Sequence, residues 1–433
     1  MSDAEVRGLV DHLFRHQAGR MVATLTRILG AHHLELAEEV VQDALLLALQ
    51  RWPFHGVPAN PSAWLIQAAK HRALDVLRRR ALQDRRAPEL AARLLADATA
   101  GDAAEPTAAA EIVDDQLRMM FMCCHPALAH DARVGLMLNV VAGFGAREVA
   151  RAFLLDDATA AQRLVRAKRR LRELDVVFEM PAPDVVHDRL AAVLDTLYLL
   201  FNEGYSAHAG ESPVRRELCA EAIRLARLLA EHPLVGRPEV HALLALMCLQ
   251  AARLAARTDD AGELLLLPEQ DRSQWDRALI ARGFAHLDRS AAGDVVTSYH
   301  LQAAIASCHA AAPSFERTDW ARILVLYDRL LALQPSPVVA LNRAIALGMV
   351  HGPEAALGAA RPLDGEPSLR RYALLPATLA ELHRRAGDGA RAREYFQRAL
   401  TMECTDAERR FLRRRLEQVA GVGEPHVGER ATS

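Results

Sequence analysis

Six basic side chains are crowded into one short segment, Ala158 to Glu173, which reads ATAAQRLVRAKRRLRE. Only one acid, Glu173, opposes them. Guanidinium and ammonium groups bind DNA phosphates, and arginine also pairs with the edge of guanine in the major groove. The segment therefore carries the groups needed to read duplex DNA, although a charge run of this kind is also typical of a solvated helix face.

The neighbouring residues predict a helix-turn-helix. Arg147–Asp157 (REVARAFLLDD) forms a short amphipathic stretch that ends in a polar break, and Asp156 and Asp157 suit the start of a second helix. Leu154 stands where a turn glycine is usual. We expect an apolar side made of Leu164, Val165, Ala167 and Leu171. The side chains expected to contact DNA are Thr159, Gln162, Arg163, Arg166, Lys168, Arg169 and Arg170.

A second pair of helices is predicted near the start of the chain. Leu34–Trp52 is amphipathic, with an acidic face made of Glu38, Glu39, Gln42 and Asp43. After a loop, Pro53–Pro61, comes a helix over Ser62–Arg80 that Ser62 or Asn60 can cap. Its mixture of aromatic and basic groups suits melting DNA, where bases stack and cations follow phosphates. The alternative is a buried Trp64 and a solvated basic end. The candidate contact residues are Asn60, Trp64, Lys70, Arg72, Arg78 and Arg79.

Together the two blocks resemble a known family. VVQDALLLALQRW followed by NPSAWLIQAAKHRALDVLRRR is similar to the second conserved region of bacterial sigma factors of the extracytoplasmic-function (ECF) group. The stretch Leu117–Glu173 resembles their fourth region. The resemblance implies that Glu38, Glu39, Gln42 and Asp43 dock on core RNA polymerase. It also implies that Asn60–Arg80 opens and reads the −10 promoter element, that Phe54–Pro61 holds an extruded base, and that Gln162–Arg170 reads the −35 element.

Composition predicts an all-α protein. Alanine, leucine and arginine dominate the 433 residues, and alternating β-branched runs are absent. The net charge of −2 means that any nucleic-acid face is local. We expect four segments: a region 2 domain at 4–80, a flexible linker at 81–110, a region 4 helix-turn-helix domain at 111–178, and a helical extension at 185–420. The prolines of MPAPD, Met180–Asp184, separate the last two.

The extension ends in a sequence repeat. Ala340–Leu363 aligns with Thr378–Leu400, which places Gly352 on Gly389 and Ala355 on Ala392. This offset is close to the period of about 34 residues that is typical of tetratricopeptide (TPR) helix pairs. The stretch Leu197–Glu211 and the repeats are similar to the long extension found in one ECF subgroup. We expect a TPR-like array whose surface binds a peptide or protein partner.

No motif predicts catalysis, a cofactor or a metal. Cys123, Cys124, His125 and His130 lie close in sequence, but adjacent cysteines on a helix diverge by about 100° and no second CxxC pair follows. Ser206 and His208 lack the surroundings of a hydrolase nucleophile. The N-terminal residues are polar and no apolar run of about 18 residues occurs, so we expect a cytoplasmic protein with buried thiols and no membrane partner.

The sequence thus predicts a sigma factor that directs core polymerase to promoters and is modulated in cis by its extension. Two other classes stay open. A helix-turn-helix regulator with a helical sensor domain would bind duplex DNA alone. A TPR-type adaptor would show no salt-dependent binding to DNA or polymerase.

Overall fold

The protein is all-α, as the composition predicted. In the computed structural model, regular structure over the described residues is helical, apart from one isolated bridge between Thr258 and Leu264. The chain divides into two compact units, Met1–Leu200 and Phe201–Ser433. The residues described are 17–80, 92, 105–152, 155–205, 215–259, 263–370, 372–402 and 404–421. Most of the predicted linker at 81–110 lies outside them, as do Leu154, Ser206 and His208.

The first unit contains the two predicted helical blocks. Its helices are α1 (17–29), α2 (Leu34–His55), α3 (Pro61–Arg80), α4 (Glu105–Cys123), α5 (His130–Leu136), α6 (Ala146–Ala152), α7 (Asp157–Glu173) and α8 (Val186–Tyr205), which ends in the second unit. A 3-10 turn, Ala31–His33, precedes α2, and a π-helical turn, Met137–Val141, follows α5.

Helix α2 is longer than the sequence predicted. It continues through Pro53 to His55, where a loop was expected. A proline in the last turn removes one intrahelical hydrogen bond, which is tolerable at an exposed end. Gly56 then ends the helix with φ 82°, and its N–H donates to the Trp52 carbonyl at 3.0 Å. The connection between α2 and α3 is therefore shorter than Pro53–Pro61.

The first unit continues beyond α7 into α8. Residues Val186, Leu190, Val193 and Leu197 of this helix are buried at spacings of three and four. Arg189 also donates to the Phe121 carbonyl of α4 at 2.9 Å. The proline-containing segment Met180–Asp184 thus separates α7 from α8, and the helix that follows it packs back on α4.

The second unit is a succession of helices, most of them joined by short connections. They are α9 (Arg216–Glu231), α10 (Pro238–Ala251), α11 (Arg277–Ser290), α12 (Ser298–Ala311), α13 (Trp320–Leu333), α14 (Pro337–His351), α15 (Pro353–Ala360), α16 (Leu374–Arg385), α17 (Gly389–Leu400) and α18 (Asp406–Gly421). The segment 252–276 between α10 and α11 is the main exception to the short connections among the described residues. Asp276, Asp319 and Asp388 cap three of the helices, each accepting the backbone N–H of the third residue of its helix.

The predicted repeat falls on two successive helix pairs, α14–α15 and α16–α17. The first pair turns at Gly352, with φ 91°, and the second at Gly387, with φ 79°. The structural equivalent of Gly352 is therefore Gly387 and not Gly389, because Gly389 already lies inside α17. Positions 352 and 387 are separated by close to the period of about 34 residues expected for TPR pairs. The TPR-like classification itself stays a prediction.

The last helix of the second unit returns to an earlier segment of the same unit. Arg410 of α18 pairs with Glu263, Arg414 donates to the Leu264 carbonyl at 3.4 Å, and Arg415 contacts Glu269 at 2.7 Å. Three arginines on one helix thus hold the segment that connects α10 to α11.

The environment of His309 predicts that the stability of this unit depends on pH. Desolvation lowers the pKa of His309 to about 4, and the neighbouring positive charges of Arg253 and Arg272 act in the same direction. A free imidazole has a pKa of about 6.5, so the unfolded chain takes up a proton first as pH falls. The stability that neutral His309 contributes is therefore present above about pH 6.5 and is lost as pH falls towards 4.

We expect His309→Gln to lose less unfolding free energy than the wild type between pH 7 and pH 5, by on the order of 1 kcal/mol. Urea unfolding at the two pH values, followed by tryptophan fluorescence, measures the difference. Exposed His351→Gln is the matched control and should keep the wild-type dependence. Equal pH dependence of all three proteins would contradict the prediction.

Candidate nucleic-acid interface

The basic helix α7 begins at a capped N-terminus. The Asp156 carboxylate accepts the Thr159 N–H at 2.8 Å and the Thr159 hydroxyl at 2.6 Å. These bonds lower the pKa of Asp156, so the cap is charged and complements the positive end of the helix dipole. Thr159 itself is therefore occupied in the cap. Helix α6 is capped in the reverse direction, since Glu148 in its first turn accepts the N–H of Gly145, the residue that precedes the helix, at 2.9 Å.

The buried side of α7 is narrower than the sequence predicted. It consists of Ala160, Leu164, Ala167 and Leu171, at helical spacing. Val165 was expected on this side but has 59% of its surface exposed. Successive helical residues diverge by about 100°, so Val165 points away from the buried side on which Leu164 lies and falls among the polar residues. An exposed valine in the middle of a basic face is a feature that the sequence interpretation missed.

The arginines on the outer side of α7 are held only loosely. Arg163 lies 3.6 Å from Asp131, and Arg166 donates to Gln162 at 3.2 Å. Arg169 and Arg170 both contact Glu173, at 3.4 and 3.3 Å. Exposed pairs of this kind contribute about 0–1 kcal/mol, so each guanidinium can exchange its partner for a phosphate or a base at little cost.

Lys168 differs from these arginines. Its ammonium contacts both carboxylate oxygens of Glu38, at 2.7 and 2.8 Å, and only 15% of its side chain is exposed. Glu38 belongs to the acidic face of α2, on which Glu39 and Gln42 are exposed. Leu46, one turn beyond Gln42, is also exposed and extends this face. In this conformation Lys168 is therefore not a free DNA contact, and Glu38 is not a free docking residue.

The predicted face of α3 is only partly correct. Arg78 and Arg79 are exposed, whereas Lys70 has 6% exposure. At 100° per residue, Lys70 lies about 140° around the helix from the exposed Asp75. Lys70 is therefore buried because it lies on a different face of the helix from the one that is exposed. Arg72 is half-buried and donates to Asp43 at 2.6 Å, which ties α3 to α2.

The exposed stripe of α3 instead includes His71, with Gln67 half-exposed one turn before it. Gln67 follows Trp64 by three positions and His71 follows Gln67 by four. This helical periodicity could have identified both residues from the sequence. Asn60 caps the helix by accepting the Ala63 N–H at 3.1 Å, so its side chain is committed to the backbone.

An aromatic cleft lies where α2 and α3 meet. Trp52 and Trp64 pack edge to face with centroids 5.5 Å apart. Trp52 Nε1 is buried and has no hydrogen-bond partner among the residues described. The open cleft measures about 570 Å³. Phe54, which precedes the lining residue His55 in the chain, is 85% exposed. The lining residues are Arg51, Trp52, His55, Gly56, Val57, Pro58 and Trp64.

The cysteines that were weighed as metal ligands lie in the core. Cys123 and Cys124 are buried, and desolvation raises the pKa of both thiols, that of Cys124 to about 12. Within the described ranges, no group of three or more His, Cys, Asp and Glu side chains is arranged to hold a metal ion. No helix in the described part of the chain is long and apolar enough to cross a bilayer.

Comparison with known proteins supports the interpretation of the first helical block, α1–α3, as sigma region 2. Residues 13–83, which include α1, α2 and α3, match Sigma-70 region 2. This match supports a sigma factor of the sigma-70 family, a class that binds core RNA polymerase and promoter DNA and is not enzymatic. Residues 189–291 match a family of unknown function, DUF6596.

Over most of its length the chain belongs to the same family as Uncharacterized protein R00370 of Rhizobium meliloti (strain 1021). The two are 40% identical over 390 residues, which cover 90% of this chain and 91% of the relative. No solved structure matches the chain.

Proposed function

We propose that this protein is an ECF-type sigma factor that positions core RNA polymerase through two DNA-contacting modules. The region 2 module (α1–α3) opens and reads the −10 element, and the helix-turn-helix module (α4–α7) reads the −35 element. The observation that carries the proposal is the match of residues 13–83 to Sigma-70 region 2, which coincides with the aromatic cleft and basic end of α3. Exposed Glu39, Gln42 and Leu46 are the proposed docking face for polymerase.

The aromatic cleft is the proposed site for a base extruded from the −10 element. Base stacking on aromatic rings contributes about 1–3 kcal/mol per base, and Trp64, which lines the cleft, offers such a surface. The unpartnered Nε1–H of Trp52 offers a hydrogen-bond donor at the same place. Arg78 and Arg79 are placed to follow the phosphates of the opened strand.

Replacing two exposed arginines near the middle of α7 tests the −35 reader. Arg163→Ala with Arg166→Ala should lower run-off transcription from a cognate promoter by about ten-fold or more, since each base or phosphate contact contributes on the order of 1–3 kcal/mol. Exposed Arg322→Ala with Arg329→Ala on α13 is the matched control. Equal transcription by both double variants would rule out α7 as a reader.

Val165 supports a more specific proposal for this helix. Apolar side chains in a recognition helix contact the C5-methyl group of thymine, and Val165 is exposed on the helix face that also carries Gln162 and Arg169, at spacings of three and four residues. We therefore assign Val165 to a thymine methyl in the −35 element. One buried methyl contributes about 0.8 kcal/mol, which corresponds to a factor of about four in affinity.

Replacing each −35 thymine in turn by deoxyuridine removes the methyl alone. At one of these positions, the replacement should weaken promoter binding by wild-type holoenzyme about four-fold. Holoenzyme with Val165→Ala should bind the thymine and deoxyuridine promoters equally well. Competition binding measures both effects. If every deoxyuridine promoter binds the variant and the wild type with the same relative loss, Val165 does not read a methyl group.

The extension is proposed to gate the sigma modules in cis and to bind a peptide or protein partner. Truncation tests the gating, and the structure fixes where to cut. A chain ending at Met180 lacks α8, whose buried face and Arg189 contact α4, so its loss confounds the result. A chain ending at Leu200 keeps the first compact unit complete. We expect this chain to give stronger run-off transcription than the full protein, and equal or weaker transcription would contradict inhibitory gating.

A further inference from the structure

The hydrophobic cores of the second unit form a row along the chain. The first cluster joins α10, α11 and α12, and the second joins α12, α13 and α14. The third joins α14, α15 and α16, and the last joins α16, α17 and α18. Each cluster therefore shares a helix with the next. In a row of this kind a helix pair packs on its neighbours only, so nothing in the cores requires the two ends to meet.

The last helix departs from this pattern because it contacts the first part of the row. Arg410 of α18 pairs with Glu263, 147 residues away in sequence, and Arg415 contacts Glu269 at 2.7 Å across 146 residues. Arg414 donates to the Leu264 carbonyl at 3.4 Å. The row of helices is thus closed where α18 meets the connection between α10 and α11.

The acidic segment, residues 263–271, supplies one side of this contact. Its sequence, ELLLLPEQD, holds three acids, four consecutive leucines and no basic residue. Hydrogen bonds hold its backbone, since the Leu265 N–H donates to the Arg257 carbonyl at 2.9 Å and Gln270 donates to the Leu265 carbonyl at 3.1 Å. The segment therefore meets α18 in a defined conformation, as a folded acidic and apolar ligand would.

The arginine face of α18 supplies the other side and consists of Arg410, Arg413, Arg414 and Arg415. Arg413 is exposed, and the other three contact the acidic segment. The guanidinium carbons of Arg414 and Arg415 lie 5.7 and 5.3 Å from the centroid of the Phe411 ring, which is close enough for cation–π attraction. Guanidinium groups held in this way favour carboxylates, because their paired donors match the two carboxylate oxygens.

The contact has the properties of one that can be exchanged. Glu263 and Arg415 are mostly buried in it, but their partners Arg410 and Glu269 keep 45% and 33% of their side chains exposed. Ion pairs that water reaches contribute little free energy and are screened by salt. Arg415 Nε is buried and lacks a hydrogen-bond partner within the described residues. The acidic segment therefore leaves one donor of the arginine face unused.

We propose that the arginine face of α18 is a docking site for an acidic, leucine-containing peptide of a partner protein, and that the acidic segment occupies this site in cis. The inference rests on the proposed function, in which the extension binds a peptide or protein partner, and it names the chemistry of that partner. A tether within one chain gives an effective concentration on the order of millimolar, so a weak contact suffices in cis and the partner must exceed it.

A fluorescent peptide with the sequence ELLLLPEQD, added to the full-length protein and followed by anisotropy, tests the docking site. Glu263→Gln with Glu269→Gln weakens the cis contact and leaves the arginine face intact. This variant should therefore bind the peptide about ten-fold more tightly than the wild type. Replacing both glutamates of the peptide by glutamine should remove the gain. Exposed Glu354→Gln with Glu394→Gln is the matched control and should bind like the wild type.

Arg410→Gln with Arg415→Gln separates docking from release of the acidic segment. This variant frees the segment but removes two of the groups that hold the peptide, so it should bind the peptide no better than the wild type. Hydrogen exchange followed by mass spectrometry should become about five-fold faster in residues 263–271, because they lose the support of α18. Exchange in α12 should be unchanged, since the core clusters of the row do not involve these arginines.

Three results would overturn the inference. If Glu263→Gln with Glu269→Gln does not bind the peptide, the arginine face is not a docking site. If the wild type binds the peptide as tightly as that variant, the acidic segment does not compete for the site. Unchanged exchange in residues 263–271 of Arg410→Gln with Arg415→Gln would show that α18 does not hold the segment. These measurements do not involve polymerase, so a failure of run-off transcription would count against the proposed function alone.

Discussion

The contact between Lys168 and Glu38 is the interaction on which the arrangement of the first unit depends. These residues are far apart in sequence, yet each covers most of the other's charged group. Neither can lose its partner while buried without leaving an uncompensated charge, which would cost several kcal/mol. The pair therefore has two stable conditions: both residues bonded to each other, or both transferred to water or to new charged partners. Under the proposed function, polymerase would be such a partner for the Glu38 carboxylate and a DNA phosphate for the Lys168 ammonium.

The same contact explains why basic charge alone describes α7 poorly. The helix presents loosely held arginines along its outer side, an exposed Val165 among them, and Lys168 turned towards α2. Loosely held arginines can find phosphates at little energetic cost. An ordinary solvated helix would not require a buried, two-pronged lysine contact. The distribution of the charges, and not their number, is what relates this helix to the rest of the molecule.

Local features of the fold were predictable from the sequence. The all-α architecture, the cap of α7 at Asp156 and the cap of α3 at Asn60 follow from composition and short-range hydrogen bonding. Helical periodicity would also have placed Lys70 inside and Val165 outside, so those two errors came from grouping residues by chemical type. The extension of α2 through Pro53 was missed because a proline usually marks a boundary and is tolerated only near a helix end.

Long-range features were not predictable in the same way. The pairing of Glu38 with Lys168 and the approach of Gly19 to Val141 depend on how two modules pack, which one sequence does not encode in any local pattern. Gly19 is the sequence feature that comes closest to predicting this packing, since a glycine inside an otherwise favourable helix usually marks a close approach of two backbones. The aromatic cleft likewise required the turn at Gly56 to bring Trp64 against Trp52.

Promoter opening is the most direct test that this chain acts as a sigma factor. Permanganate oxidises unpaired thymines, so it detects strand separation in the promoter-like sequence upstream of the protein's own gene cluster. Core polymerase together with the full-length protein should make thymines in the −10 element reactive, and Trp64→Ala should abolish this signal. Neither component alone should produce it. Paired, unreactive thymines in the presence of both components, at every promoter that is tested, would contradict the assignment.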